Sequence, residues 1–364
     1  MKHNWEYKQF TDIATSITPR IKVDKSDYLL EGPVPIISQE ESYISGYWDN
    51  LDDITPHNGP VIIFGDHSRV LKYVDCDFVV GADGVKIISP KDCICAKFLF
   101  HFLKWYNIPS LGYSRHFKLI KDATFPVPSI ETQMQIVAEL DKINETIADC
   151  RELLRNLDAL AQSLFYDFFG DPAINPKGWQ TKSLDEICEA ISTGITYKPD
   201  NVADFGTIVL RSSNIQNSSL VLDDIVRIDM PLKPSQYVQK NDILMCSRNG
   251  SARLVGKVAL IPELKEKMSW GAFMTIIRSN YYHFLFQYFR LPAFREQLTK
   301  TKTTTVNQIT IGMLKKIHLP VPPLSLQKKF AERIEQIEAQ KKIVESTIAE
   351  LQTLLDSRMD YWFN

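Results

Sequence analysis

The chain has 364 residues, enough for two or three domains with cores of their own. Its composition, 44% hydrophobic and 24% charged, is that of an ordinary globular protein. A net charge of −2 excludes a globally basic nucleic-acid binder but leaves room for local basic faces. Six cysteines are scattered, and only Cys93 and Cys95 are close. One intervening residue is not zinc-ligand spacing, so no metal site is expected and the thiols read as reduced, in a cytoplasmic protein. The first residues lack a signal-peptide apolar region, and no apolar run approaches the ~20 residues of a membrane span.

In chain order, Trp5 to Ile13 reads as a short amphipathic opening. Apolar runs at 33–38, 60–65, 73–80 and 85–89, bounded by turn residues, predict strands. Residues 96–106 carry a helical pattern that ends before Pro109. A polar loop at 111–116 and a last strand into Phe125 complete a mixed domain. The motif Pro126-Val127-Pro128 then opens a long helix. Apolar or small residues recur at Ile136, Leu140, Ile143, Ile147, Cys150, Leu154, Leu157, Ala161, Leu164 and Phe168, alternately four and three apart. That is the seam of a coiled coil. Gly170 stands where the helix should stop, and 170–178 is a breaker-rich linker.

The chain then repeats itself. Trp179 to Ile187 replays the opening, and 207–211, 242–247, 254–261 and 273–278 predict strands. Helices are predicted at 281–290 and from Pro292 onward. An offset of 194 lays Pro320-Val321-Pro322 on Pro126-Val127-Pro128 and Gln327 on Gln133. The seam recurs as Phe330, Ile334, Ile337, Lys341, Val344, Ile348, Leu351, Leu355, Arg358 and Trp362. Lys341 and Arg358 are expected to lay their stems on apolar surface while their charges reach water. The fold class is α+β: two mixed α/β globules joined by two long helices, related as an internal repeat. The boundaries fall at 1–128, 129–169, 170–178, 179–322 and 323–364. A helix this long cannot bury its seam alone. Its duplicate is the natural partner, as an antiparallel coiled coil of roughly 55 Å with a globule at each end. Helices packed on their own domains, or a homodimeric coiled coil, are the other ways to bury such seams. The first helix is acidic, so a nucleic-acid ligand would meet the globules instead.

Chemistry is sparse. No dinucleotide-binding or P-loop motif is present. Pro199-Asp200 with Glu263-Leu264-Lys265 spells a nuclease pattern with too long a gap, and His116 and His318 read as structural. What remains is a set of polar, basic loops in each globule. The first globule offers Ser68, Arg69, Tyr113, Ser114 and Arg115. The second offers Arg211, Ser213, Asn214, Arg248, Asn249, Ser251, Arg253, Thr304, Asn307 and Gln308. Arg suits guanine edges, Asn and Gln suit adenine edges, and Ser and Thr suit phosphates or either base class.

With its duplicated opening, Pro-Val-Pro entries, two long helices, the linker from Phe168-Phe169-Gly170-Asp171-Pro172 to Trp179, and Asp242 to Gly250 in the second globule, the chain resembles the specificity subunits of type I restriction–modification systems. The likeness covers nearly the whole chain. It implies that each globule is a target-recognition domain reading one half of a split site on double-stranded DNA. It implies that the helices space the globules and dock two methyltransferase subunits, with restriction subunits as further partners. It also implies no catalytic residue and no cofactor in this chain: S-adenosylmethionine, ATP and Mg belong to the partners. The first globule departs from the loop pattern, with Ile63 to Arg69 where the second has Cys246 to Gly250. A scaffold whose globules bind protein is the other reading.

Overall fold

The computed structural model describes residues 5–82, 84–112, 114–301 and 308–364. The chain forms two compact units, one of residues 1–152 with 344–364, the other of residues 153–343. Each is a mixed α/β body, and the two long helices, Ile130–Phe169 and Leu324–Phe363, contribute a segment to each.

In the first unit the opening strand Glu6–Gln9 pairs antiparallel with Thr124–Val127, so the segment that closes the globule lies beside the one that opens it. The central sheet is antiparallel, in the order Ala14–Ile17, Val85–Pro90, Val61–Gly65, Leu71–Val74. Every residue of Val61–Gly65 is buried, because both faces of this strand are covered. Ile62 and Phe64 pack with Phe98, Leu99 and Phe102 of the helix Ala96–Tyr106. Val61 and Ile63 face the other way, toward Ile37, Phe78 and Val80. The period of two along the strand thus divides one apolar run between two cores. A second sheet, ordered Lys22–Val23, Val79–Gly81, Val34–Ile37, Gly46–Trp48, carries two parallel pairings.

The second unit repeats the plan. Thr181–Ser183 pairs with His318–Pro320, and the central sheet runs Ala190–Thr193, Met274–Arg278, Ile243–Cys246, Val258–Leu260. Ile243 and Met245 share a core with helical residues, while Leu244 and Cys246 pack against the second sheet. That sheet keeps one parallel pairing, Thr207–Leu210 with Met268–Trp270. The predicted 73–80 strand is two strands, Leu71–Val74 and Val79–Gly81, in different sheets. An apolar run does not reveal that the chain turns between sheets at Asp75–Asp77. Likewise 254–261 divides into a turn, Ala252–Leu254, and a strand, Val258–Leu260.

Within each unit the two long helices pack antiparallel. In the first, Glu139 accepts hydrogen bonds from Arg358 and from Trp362 Nε1, the latter at 3.0 Å. Further along, Ile147 and Arg151 share a cleft with Gln352 and Leu355. In the second, Asp158 meets Lys341 Nζ at 3.0 Å. Eleven residues on, Phe169 meets Phe330, eleven residues back on the other helix, with ring centroids 4.8 Å apart. Lys341 therefore does not carry its charge to water, whereas Arg358 keeps a partly exposed guanidinium while it pairs with Glu139. Lys341 is buried, with Asp158 and Glu338 on its amine, and Arg358 is clamped to Glu139. Burial raises the Asp158 carboxyl pKa, but the hydrogen bonds of Lys341 and Arg290 outweigh it and hold the group below its usual range.

The buried stripe departs from the predicted seam at the helix ends. Ile136, Leu140, Ile143, Ile147, Leu157, Phe330, Ile334, Ile337 and Leu355 are buried. Leu154, Val344, Ile348 and Leu351 are half-buried. Leu164 is also half-buried, because the stripe continues as Leu157, Ala161, Phe165, Phe169, in steps of four. The repeat does the same at Leu355, Met359 and Phe363, at the same offset of 194. A four-residue step turns the apolar face by about 40°, toward the globule, where Phe165 stacks on Phe284 at 5.3 Å while still meeting Phe330 of the partner helix at 6.0 Å. Phe165→Ala is accordingly expected to cost about 3–5 kcal/mol, and Leu164→Ala clearly less, in denaturant unfolding. Equal losses would return the core stripe to the seam of alternate fours and threes.

Candidate functional site

In the second unit, strand ends from both sheets meet. Gly271 N–H donates to Leu210 O at 3.0 Å, bringing the turns after Thr207–Leu210 and Met268–Trp270 together. Ser247 and Arg248 N–H both donate to Phe273 O, at 2.9 and 3.1 Å, which adds the turn after Ile243–Cys246. Arg248 bridges Gln308 through the backbone, and Asn249 Nδ2 donates to Ser212 Oγ at 3.1 Å. Between these turns lies a cleft of about 630 Å³, walled by Tyr197, Arg211, Ser213 and Phe273. Phe273 is 58% exposed, an aromatic surface left open to solvent, and the Arg248 guanidinium stands 5.2 Å over its ring. Arg211 is steadied by Asp224 at 2.8 Å, while its Nε is buried without a partner.

These turns gather Arg211, Ser213, Arg248, Asn249 and Gln308 of the predicted set. Ser251 and the exposed Arg253 follow on the next turn, where Ser251 N–H donates to Asn249 Oδ1 at 3.0 Å. Asn214 is a correction. It is 1% exposed, and its amide nitrogen donates to Val221 O and Asp224 O while its oxygen accepts Arg211 N–H. It therefore builds the turn and presents nothing to a ligand. Thr304 and Asn307 lie outside the described residues. Cys246 is fully buried and packs as an apolar side chain, and that burial pushes its thiol pKa up.

The first unit assembles the corresponding turns with other chemistry. Asp66 N–H donates to Gly84 O at 2.6 Å, as Ser247 does to Phe273 O. Ser68 Oγ donates to Gln39 O at 2.7 Å, and Arg69 Nη1 donates to Ile108 O at 2.9 Å. Both side chains brace the loop, and Arg69 does so from a left-handed backbone, φ 61°. His116 is buried and structural: Nδ1 donates to Asp66 O and Nε2 accepts Leu111 N–H. Ser114 and Arg115 are exposed, and Tyr113 lies outside the described residues.

Tyr197, Phe273, Asp224 and Gln39 escaped sequence reasoning. None stands in a basic stretch, and only the offset duplication, carried from strand to strand, points to their turns. Among the described residues, no group of three or more His, Cys, Asp or Glu is placed to hold a metal ion. The scaffold role of Asn214 predicts that Asn214→Ala destabilises by about 1–3 kcal/mol through the orphaned backbone groups. Ser213→Ala, at an exposed position, should stay within about 0.5 kcal/mol. Matching effects in denaturant titrations would contradict this division of roles.

Comparison with known proteins adds the family. The model of the type I restriction modification DNA specificity domain matches residues 2–156 and 176–353. The specificity subunits of the type I restriction enzymes StySPI from Salmonella potsdam and EcoKI from Escherichia coli are each 28% identical over 188 residues, 49% of this chain. The alignments span 40% and 39% of those relatives' own length. A putative specificity subunit from Haemophilus influenzae, S.HindORF215P, is 21% identical over 92% of this chain and 87% of its own. The fold is similar to that of the type I restriction-modification S subunit from M. genitalium, with TM-score 0.59 and 13% identity over 98% of this chain and 96% of that one. With a family model matched across most of its length, in both copies of the repeat, the chain belongs to the type I restriction–modification DNA specificity family.

Proposed function

We propose that this chain is the DNA-reading subunit of a type I restriction–modification complex. Each unit reads one half of a bipartite site on double-stranded DNA through its cluster of strand-end turns. The two long helices set the spacing and dock two methyltransferase subunits, and restriction subunits join the assembly. The chain contributes recognition and no catalytic group. S-adenosylmethionine, ATP and Mg are used by the partners, in the cytoplasm. Among the described residues, no helix is long and apolar enough to cross a membrane.

One observation carries this reading. The same three strand ends meet in both units, on one scaffold, with different side chains on each. A duplicated scaffold with divergent loops is what two readers of two different half-sites require. In the second unit Arg211, Arg248 and Arg253 supply fork-shaped donors suited to guanine edges or phosphates. Phe273 supplies an exposed aromatic face beside them.

The test is DNA binding by the assembled complex carrying Arg248→Ala and Arg253→Ala. A lost bidentate base contact costs about 1–3 kcal/mol and relaxes discrimination at one position. A lost phosphate contact weakens all sequences alike and lowers the log–log salt slope by about 0.9. Unchanged affinity and unchanged salt slope in a folded variant would remove this turn from the interface. Absence of DNA binding by the wild-type complex would favour a protein-binding scaffold.

A further inference from the structure

The two copies of the repeat differ where each long helix begins. In the first unit Gln133 is fully buried and fully used. Its amide nitrogen donates to Cys93 O at 3.0 Å and Pro128 O at 2.9 Å, and its oxygen accepts Cys95 N–H at 2.7 Å. Its counterpart Gln327 is 4% exposed and keeps only the donation to Pro322 O, at 2.7 Å. Its carbonyl oxygen is buried with no hydrogen-bond partner among the described residues.

The cause is a shorter connection. The strand pairs Gly65–Val85 and Cys246–Met274 are equivalent, because in each the following residue donates to the carbonyl just before the partner strand. His101 and His283 are equivalent too. His101 meets Asp141 at 2.8 Å and His283 meets Glu335 at 3.3 Å, and the two acids stand 194 apart. From Val85 to His101 is sixteen positions; from Met274 to His283 is nine. The seven missing residues are the connection that, in the first unit, lays Cys93–Cys95 against the glutamine. Val137 of the first helix is also replaced by the smaller Ala331. A pocket of about 330 Å³ opens in the second unit, with Tyr282, Leu324, Gln327, Ala331 and Glu332 in its wall.

We infer that this pocket is a docking site for an extended segment of a partner polypeptide, which places a backbone N–H on Gln327 Oε1 as the chain's own Cys95 does on Gln133. A peptide N–H is the partner that the first unit itself supplies at this position, from Cys95 to Gln133 Oε1 at 2.7 Å. An unmet buried acceptor costs about 1–3 kcal/mol, and a peptide N–H removes that cost. The rim carries mixed charge, with Lys328 and Glu332 one turn apart and Glu335 paired to His283, so it suits a polar peptide backbone rather than one sign of side chain. The inference rests on the assembly reading above, which makes the methyltransferase subunit the partner.

The experiment measures capture of the cognate methyltransferase by the full-length chain. Ala331→Phe fills the pocket with the chain's own atoms. Capture is expected to weaken at least tenfold, with the thermal unfolding of the isolated chain unchanged. Unchanged capture by this variant would mean that the pocket holds water only, and would overturn the inference. Because a large side chain can impair folding, a second variant carries the photo-crosslinker benzoylphenylalanine in place of Leu324. An adduct with the methyltransferase supports the site; irradiation of the assembled complex without an adduct overturns it. A wild-type chain that captures no methyltransferase overturns the assembly reading itself and the site with it, a result distinct from either variant's failure.

Discussion

The first unit depends on a core closed by the far end of the chain. Phe363 packs against Phe98, Phe102 and Trp105, with ring centroids 5.5–5.7 Å apart. Leu355 and Met359 join Ile136, Leu140 and Ile143 in the same core. A helix of forty residues with an apolar stripe cannot hold that stripe away from water by itself. Here the stripe is covered partly by the other long helix and partly by a sheet-and-helix globule. The price of such a closure is sequence separation: the unit is complete only when residues 344–364 have folded back onto residues 1–152.

That constraint explains which polar groups sit in the seam. Glu139 lies where Arg358 and Trp362 can reach it, and Asp158 where Lys341 and Arg290 can. These charges next to the apolar stripe are matched by opposite ones, which offsets the cost of taking them partly out of water. Such pairs fix the register of two similar helices that could otherwise slide by a turn. Gln133 and Gln327 mark the other end of the same logic, tying the first turn of each helix back to the Pro-Val-Pro entry.

Much of this was legible in the sequence, for physical reasons that also mark where legibility stopped. The long helices and the duplication follow from periodicity and offset, which survive in any context, whereas their antiparallel pairing was one of several ways to bury the seams. The seam of alternate fours and threes held where helix faces helix, and failed at Leu164 because there a helix faces a globule. The residues 73–80 read as one strand because an apolar run does not show a change of sheet. The loop residues were found by their chemistry, which identifies exposed Arg248 and Arg253 but cannot tell them from Asn214. A buried asparagine that builds a turn and an exposed one that reads a base look alike in a list of residue types. Phe273 was missed because it stands at the start of a predicted strand, and Tyr197 because it stands in no basic or repeated motif.

One scaffold occurs twice, and we propose that recognition is carried by turns local to each copy. This is tested most directly by mapping methylated sites in cells that express a chimaera with its methyltransferase, in which residues 179–322 are replaced by the corresponding segment of a relative. The expected result is a methylated sequence changed in one half and unaltered in the other. A site changed in both halves would contradict it.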